Sequence, residues 1–206
     1  MEIIDISLSI QKDMILYPGD SEFQLTKVLD MTNTGDEVNL SKIEMSVHTG
    51  THVESPLHFI EDGKTINDLS LSNFYGHCKV IDLTGLNYNN KITKIQLKDK
   101  GIDSGIIVLI KTKNSSLYQD KFREDYISLA KDGVKHLVEI GIKAIGIDYL
   151  SIGDSEIHQM LLSEGIVVYE GLNLAHVVPG NYIFVGFPLK IVDSEASPTR
   201  AVLLKE

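Results

Sequence analysis

The sequence predicts a single mixed α/β domain spanning residues 1–206. Three observations point that way. Short apolar runs with strand character crowd the first half, and strand and helix signals alternate in the second. A chain of 206 residues without an internal repeat or a Pro/Ser-rich linker also suits one compact unit.

Ile3–Ile6, Ile43–Val47, Val80–Leu83 and Ile106–Ile110 read as strands. Along Ile43-Glu44-Met45-Ser46-Val47-His48, apolar and polar residues alternate, so a period of two turns His48 away from the core side. Val134, Leu137 and Val138 at helical spacing predict a helix over Asp132–Ile140, stopped by Gly141. Ala144–Ile147 reads as a buried strand ending in Asp148. Asp154 or Ser155 then caps a helix whose Ile157, Met160 and Leu161 form an apolar stripe, ended by Gly165. Ile166–Tyr169 is a strand ending at Glu170, and Tyr182–Phe187 and Ala201–Leu204 are two more.

Composition excludes several classes. Hydrophobic residues make up 43% and charged residues 23%, which fits a folded globular chain and not a disordered one. With 19 basic and 29 acidic residues the formal charge is −10, so phosphate backbones and anionic membranes are poor partners. The lone Cys78 rules out an internal disulfide framework and a multi-cysteine zinc site. The acidic Met1-Glu2-Ile3-Ile4-Asp5 lacks the basic region of a signal peptide, and no apolar run approaches the ~20 residues that span a bilayer. A cytoplasmic location is expected.

The chemistry concentrates in His48-Thr49-Gly50-Thr51-His52-Val53-Glu54-Ser55-Pro56-Leu57-His58-Phe59. Three of the seven histidines and one carboxylate fall in this stretch. Gly50, Pro56 and the β-branched Thr49, Thr51 and Val53 argue against a helix. In an extended chain His48, His52, Glu54 and His58 share one parity, and bends at Gly50 and Pro56 let them converge. Imidazole and carboxylate donors without thiolates suit zinc, manganese or iron(II). Other catalytic signatures are missing: no Gly-x-Ser-x-Gly elbow, no phosphate-binding loop and no dinucleotide fingerprint occur. His77 and Cys78 are adjacent and point to opposite faces of a strand, so Cys78 reads as a packing thiol; His136 and His176 read as structural.

This segment resembles the hallmark His-x-Gly-Thr-His-x-Asp-x-Pro-x-His-Phe of the cyclase/kynurenine formamidase family of metal-dependent hydrolases, which includes isatin hydrolases. Glu54 stands where that family usually has Asp. The likeness extends to Asp5-Ile6-Ser7, Tyr17-Pro18-Gly19-Asp20, His158 with Leu161-Leu162, Glu170-Gly171-Leu172, Pro188-Leu189-Lys190 and Ser197-Pro198-Thr199-Arg200-Ala201. It implies that His48, His52, Glu54, His158 and Glu170 hold one or two divalent ions, zinc or manganese. It also implies His58 as catalytic acid/base and Tyr17 in the place of a substrate-stacking tryptophan. The implied fold is a barrel-like mixed sheet with flanking helices, of the swivelling β/β/α type, and the implied assembly is a homodimer or higher homo-oligomer. The expected chemistry is hydrolysis of a small aryl formamide such as N-formylkynurenine, with a cyclic amide or lactone as the alternative. The acidic surroundings should disfavour highly anionic substrates. A reading from another class is a metal-binding protein without catalysis, whose ligands leave no open coordination position.

Overall fold

The computed structural model describes residues 1–119 and 121–205. The chain opens with β1 (Glu2–Asp5), a hairpin of β2 (Gln24–Leu29) and β3 (Leu40–Glu44), and the short β4 (His52–Glu54). Then come β5 (Tyr75–Asp82), β6 (Lys91–Ile92), α1 (Lys94–Leu97), β7 (Ile107–Lys111), β8 (Ser128–Leu129) and α2 (Lys131–Ile140). The rest is β9 (Ala144–Ile147), α3 (Ser155–Leu162), β10 (Val167–Glu170), β11 (Gly180–Val185), β12 (Ala196–Pro198) and β13 (Val202–Lys205).

Nine strands form one sheet in the order β1-β13-β11-β5-β7-β9-β10-β4-β12, curled into a half-barrel with flanking helices. This is the swivelling β/β/α arrangement expected from the sequence. Its centre, β5-β7-β9-β10, is parallel. Antiparallel β11, β13 and β1 extend one side, and antiparallel β4 and β12 extend the other. Parallel strands covered on both faces read as unbroken apolar runs, which is why Ile107–Ile110 is aliphatic throughout. Val108 and Ile110 pack with Val134 and Leu137 of α2 and Ile157 and Leu161 of α3. Ile107 and Leu109 face the other way, against Tyr169, Phe184 and Leu203. Burying each of these aliphatic side chains contributes about 1.5–3 kcal/mol.

The predicted helices form where their caps lie. Asp154 accepts from the Ile157 N–H at 3.1 Å and starts α3. Gly141, at φ +78°, closes α2 in the left-handed region by donating to Leu137 and Val138 carbonyls. Cys78 is buried in the apolar cluster beneath the sheet, and burial pushes its thiol up, as befits a packing residue. No helix among the described residues is long and apolar enough to cross a membrane.

One strand differs from its reading. The alternating run beginning at Ile43 does not continue to Val47, because β3 ends at Glu44 and Met45 to His48 leave the ladder. The hairpin pairs only with itself, and every residue of β3 is exposed, so Ile43 faces solvent instead of a core. Alternation marks two faces of a strand; it cannot say what lies against either one.

Candidate metal centre and active site

The histidine segment is placed by pairing on both sides of β4. His52 lies opposite Glu170 and Val53 opposite Tyr169 in the antiparallel register with β10. On the other side Ala196 is opposite Glu54 and Pro198 opposite His52. Two residues apart on one strand, His52 and Glu54 share a face, and Glu170 joins them from the C-terminal end of its parallel strand. Crevices outside the carboxyl ends of strands are where open α/β sheets place their sites.

His48 and His58 lie outside the extended stretch. A turn through Gly50, at φ +69°, carries His48 back toward β4. His58 ends a single helical turn, Pro56–His58, with proline at its start. Convergence therefore comes from turns at both ends of β4, at the Gly50 and Pro56 bends expected from the sequence. The turn is locked from outside: Thr51 donates its hydroxyl to the Gly171 carbonyl and accepts from the Leu8 N–H at 2.8 Å. Gly171 sits at φ +65°, and a Cβ there would lie 2.1 Å from the Gly50 carbonyl oxygen, so only glycine permits this approach.

The six side chains meet in a pocket of about 320 Å³, whose lining also includes Tyr17, Asp20, Phe59 and Leu150. Glu54 is central. Its Oε1 lies 3.4 Å from His48 Nδ1, 3.4 Å from His58 Nε2 and 3.7 Å from His52 Nε2. Its Oε2 lies 3.6 Å from His158 Nε2. Glu170 is 3.6 Å from His52 Nε2 and 3.0 Å from His158 Nε2, and its Oε1 also accepts from the Ile152 N–H at 2.7 Å. Glu54 and Glu170 are 2% and 3% exposed, with imidazoles in place of Lys or Arg as counterparts. Burying two carboxylates side by side with only imidazoles as counterparts is costly, which makes the cluster a candidate functional site.

A divalent ion fits these donors. Ligands about 2.1 Å from a tetrahedral ion stand roughly 3.4 Å from each other, the spacing seen between most donor atoms here. His52 Nε2 and Glu54 Oε2, both turned into the cluster, are buried without a hydrogen-bond partner. Donor atoms form two groups, His48–Glu54–His58 and His52–Glu54–Glu170, each within 4.8 Å and both including Glu54.

Two histidines are oriented by backbone. His52 Nδ1 donates to the Gly50 carbonyl at 3.0 Å and His158 Nδ1 to the Asp154 carbonyl at 2.8 Å. A carbonyl only accepts, so each ring carries its proton on Nδ1 and directs Nε2 into the cluster. Without an ion, burial opposes charge on His158, but Glu170 and Glu54 beside it prevail and raise its pKa to about 9. Burial also disfavours charge on Glu54, yet the surrounding imidazoles hold its carboxyl well below the usual range. Glu170 is pushed up, by burial first and then by the charge of Glu54. His58 is pulled down to about 4, by burial and then by the neighbouring imidazoles against the opposing pull of Glu54. Lowered this far, the ring is uncharged at pH 7.

Each residue expected from the sequence reaches this pocket. Tyr17 stands at its mouth, 47% exposed, with its ring edge-on to Phe122 at 5.1 Å. His136 and His176 lie outside the pocket lining, His136 on α2 and His176 with Nε2 donating to the Asp5 carbonyl at 3.0 Å. Two acids of the site are not among the residues expected to form it: Asp20, on the pocket wall and part of the Tyr17-Pro18-Gly19-Asp20 element, and Glu195, whose Oε1 is 3.6 Å from His48 Nε2.

The sequence model of the family described as "Putative cyclase" matches residues 4–154. The chain is 35% identical to a kynurenine formamidase of Salinibacter ruber, over 98% of this chain and 97% of that one. It is 34% identical to a kynurenine formamidase of Bacillus mycoides, over 97% and 96% of the two chains. Among solved structures, that of a predicted metal-dependent hydrolase from Bacillus stearothermophilus is similar with a TM-score of 0.85 and 35% identity, over 98% of this chain and 97% of that one. Isatin hydrolase A from Ralstonia solanacearum shares the fold, with a TM-score of 0.88 at 20% identity over 99% and 92% of the chains. With this extent of match, over a segment that supplies four of the six converging side chains, the chain belongs to the cyclase family.

Proposed function

We propose that the chain, acting as one domain over residues 1–206, is a metal-dependent hydrolase that cleaves small aryl formamides of the N-formylkynurenine type. The observation that carries this reading is the buried cluster of four imidazoles and two carboxylates at ligand spacing, opening into an aromatic-edged pocket. The kynurenine formamidase relatives, matched over nearly their whole length, support the choice of substrate class.

His48, His52, Glu54, His158 and Glu170 would hold the ion or ions, zinc or manganese, with the shared Glu54 favouring two. A divalent ion there supplies Lewis acidity toward the amide carbonyl and lowers the pKa of water. His58 does the proton work. Its neutral ring takes a proton from the attacking water and delivers it to the amide nitrogen, so that the C–N bond breaks with an arylamine leaving instead of an amide anion. Formate is the other product. Tyr17, with Phe122 behind it, offers a stacking face to the aryl ring. Among the described residues lining the pocket the charged groups outside the cluster are Asp20 and Asp154, with no Lys or Arg. That lining favours neutral or cationic tails on the substrate over anionic ones.

The test is a panel of N-formyl aryl amides and isatin, compared by kcat/KM on the metal-loaded protein. The proposal expects the open-chain formamides to be preferred by at least about tenfold, about 1.4 kcal/mol in transition-state binding. Preference for isatin would move the assignment to lactam hydrolysis, and no turnover of any member would favour a non-catalytic metal protein.

The assigned partner is a second copy of the chain, in the cytoplasm. Support for the second copy comes from the β2–β3 hairpin, where Leu25 and Ile43 stand opposite each other and are each 59% exposed. A two-stranded hairpin is marginally stable in water unless something covers it, and exposed apolar patches mark association surfaces. A Leu25→Glu, Ile43→Glu double variant should sediment as a monomer where the wild type is dimeric; a monomeric wild type would refute the assignment.

A further inference from the structure

We infer that Glu195 is a positioning residue for His48, accepting a hydrogen bond from Nε2–H and thereby presenting Nδ1 to the metal centre. The inference rests on the reading of the cluster as a metal site.

Three buried or half-buried rings, His48 on the turn before β4, His52 on β4 and His158 on α3, face the two carboxylates, and each must offer a lone pair there to serve as a ligand. His52 and His158 solve this with backbone: their Nδ1–H groups donate to the carbonyls of Gly50 and Asp154. His48 is turned the other way round. It is Nδ1 that lies toward Glu54, at 3.4 Å, while Nε2 points outward and is buried without a hydrogen bond. Glu195 Oε1, 3.6 Å away, is the acceptor facing it. A small side-chain rotation closes that gap to a hydrogen bond, whereas a carbonyl of the main chain could not move. A carboxylate behind a metal-bound imidazole fixes its tautomer and raises its basicity.

The backbone holds Glu195 in place independently of its side chain. Its carbonyl accepts from the Ser55 N–H at 2.8 Å and the Ser55 hydroxyl at 2.9 Å. The next residue, Ala196, pairs with Glu54 itself in the β12–β4 ladder. Replacing the carboxylate therefore leaves these contacts intact, and the side chain, 39% exposed, leaves no buried cavity when it is truncated.

The experiment compares wild type, Glu195→Ala and Glu195→Gln in two readouts. The first is zinc affinity by chelator competition. Glu195→Ala should bind about 10–100-fold more weakly, the range for losing such a partner, and Glu195→Gln, whose amide oxygen still accepts the bond, should recover most of the loss. The melting temperature of the metal-free protein should be the same in all three, which a merely structural role would not give. The second readout is the tautomer of His48 from nitrogen NMR shifts in the metal-free protein. Wild type should carry the proton on Nε2, and Glu195→Ala should shift the population toward Nδ1. Unchanged zinc affinity in Glu195→Ala, or an unchanged tautomer, overturns the inference. A wild type that binds no zinc would refute the metal reading; a tautomer shift in Glu195→Ala would then establish only the hydrogen bond between Glu195 and His48.

Discussion

His58→Ala should retain its metal and lose about 10²–10⁴-fold in kcat, the usual contribution of a positioned acid/base. His58 is the most exposed of the cluster rings, with 27% of its side chain reaching solvent, and it sits on a turn and not on the strand that carries His52 and Glu54. Its Nε2 is nevertheless as close to Glu54 as His48 Nδ1 is, so geometry alone would also admit it as a ligand. The variant separates the roles. An acid/base leaves metal content untouched and removes kcat with little change in KM, because the proton moves only in the transition state. Metal content by elemental analysis, read beside kcat, decides it: loss of metal makes His58 a ligand, and unchanged turnover removes it from the chemistry.

Glu54→Gln should have the opposite signature, losing metal and activity together. Glutamine matches the shape of glutamate, so no cavity forms, but the charge disappears from the one group that belongs to both donor sets. It also faces four imidazoles, two of which are held in the tautomer that leaves Nε2 unprotonated toward the ion. Losing a partner of a ligand costs about 10–100-fold in affinity, and losing a shared ligand should cost at least the upper end of that range. Glu54→Asp retains the charge and restores the residue usual in the family, at the cost of one methylene of reach. It should keep metal, and its activity reports how far the backbone has adjusted to the longer side chain. A Glu54→Gln protein with full zinc affinity would exclude Glu54 as a ligand.

How much of this was legible in the sequence depends on the range over which each feature is decided. The central strand was readable because a strand covered on both faces must be apolar throughout, as Ile107–Ile110 is; that its neighbours run parallel to it was not. Helices α2 and α3 announce themselves through Gly141 and Asp154, local signals that act within one turn. The helix α1 spans only four residues, too few for a periodicity to register. The histidine segment was legible as chemistry, since its residue types and its glycine and proline leave few other uses. Its bends at Gly50 and Pro56 were legible too; the facing of His48 was not. His48 reaches the cluster through the Gly50 turn, and the alternation that seemed to orient it belongs to a hairpin that ends before it. Glu195 lies about 140 residues from Ser55 in sequence and reaches His48 only through the β12–β4 register. No local pattern encodes such a pairing, and an acid ahead of a short strand otherwise reads as solvated.

The central claim is that the buried histidine–carboxylate cluster is a metal centre that drives amide hydrolysis. The most direct test is the initial rate of hydrolysis of an N-formyl aryl amide by protein stripped of metal with a chelator, followed as zinc or manganese is titrated back. The account predicts no turnover in the stripped protein and a rise that saturates at one or two ions per chain. Full turnover without metal, or stoichiometric metal binding with no turnover, would contradict it.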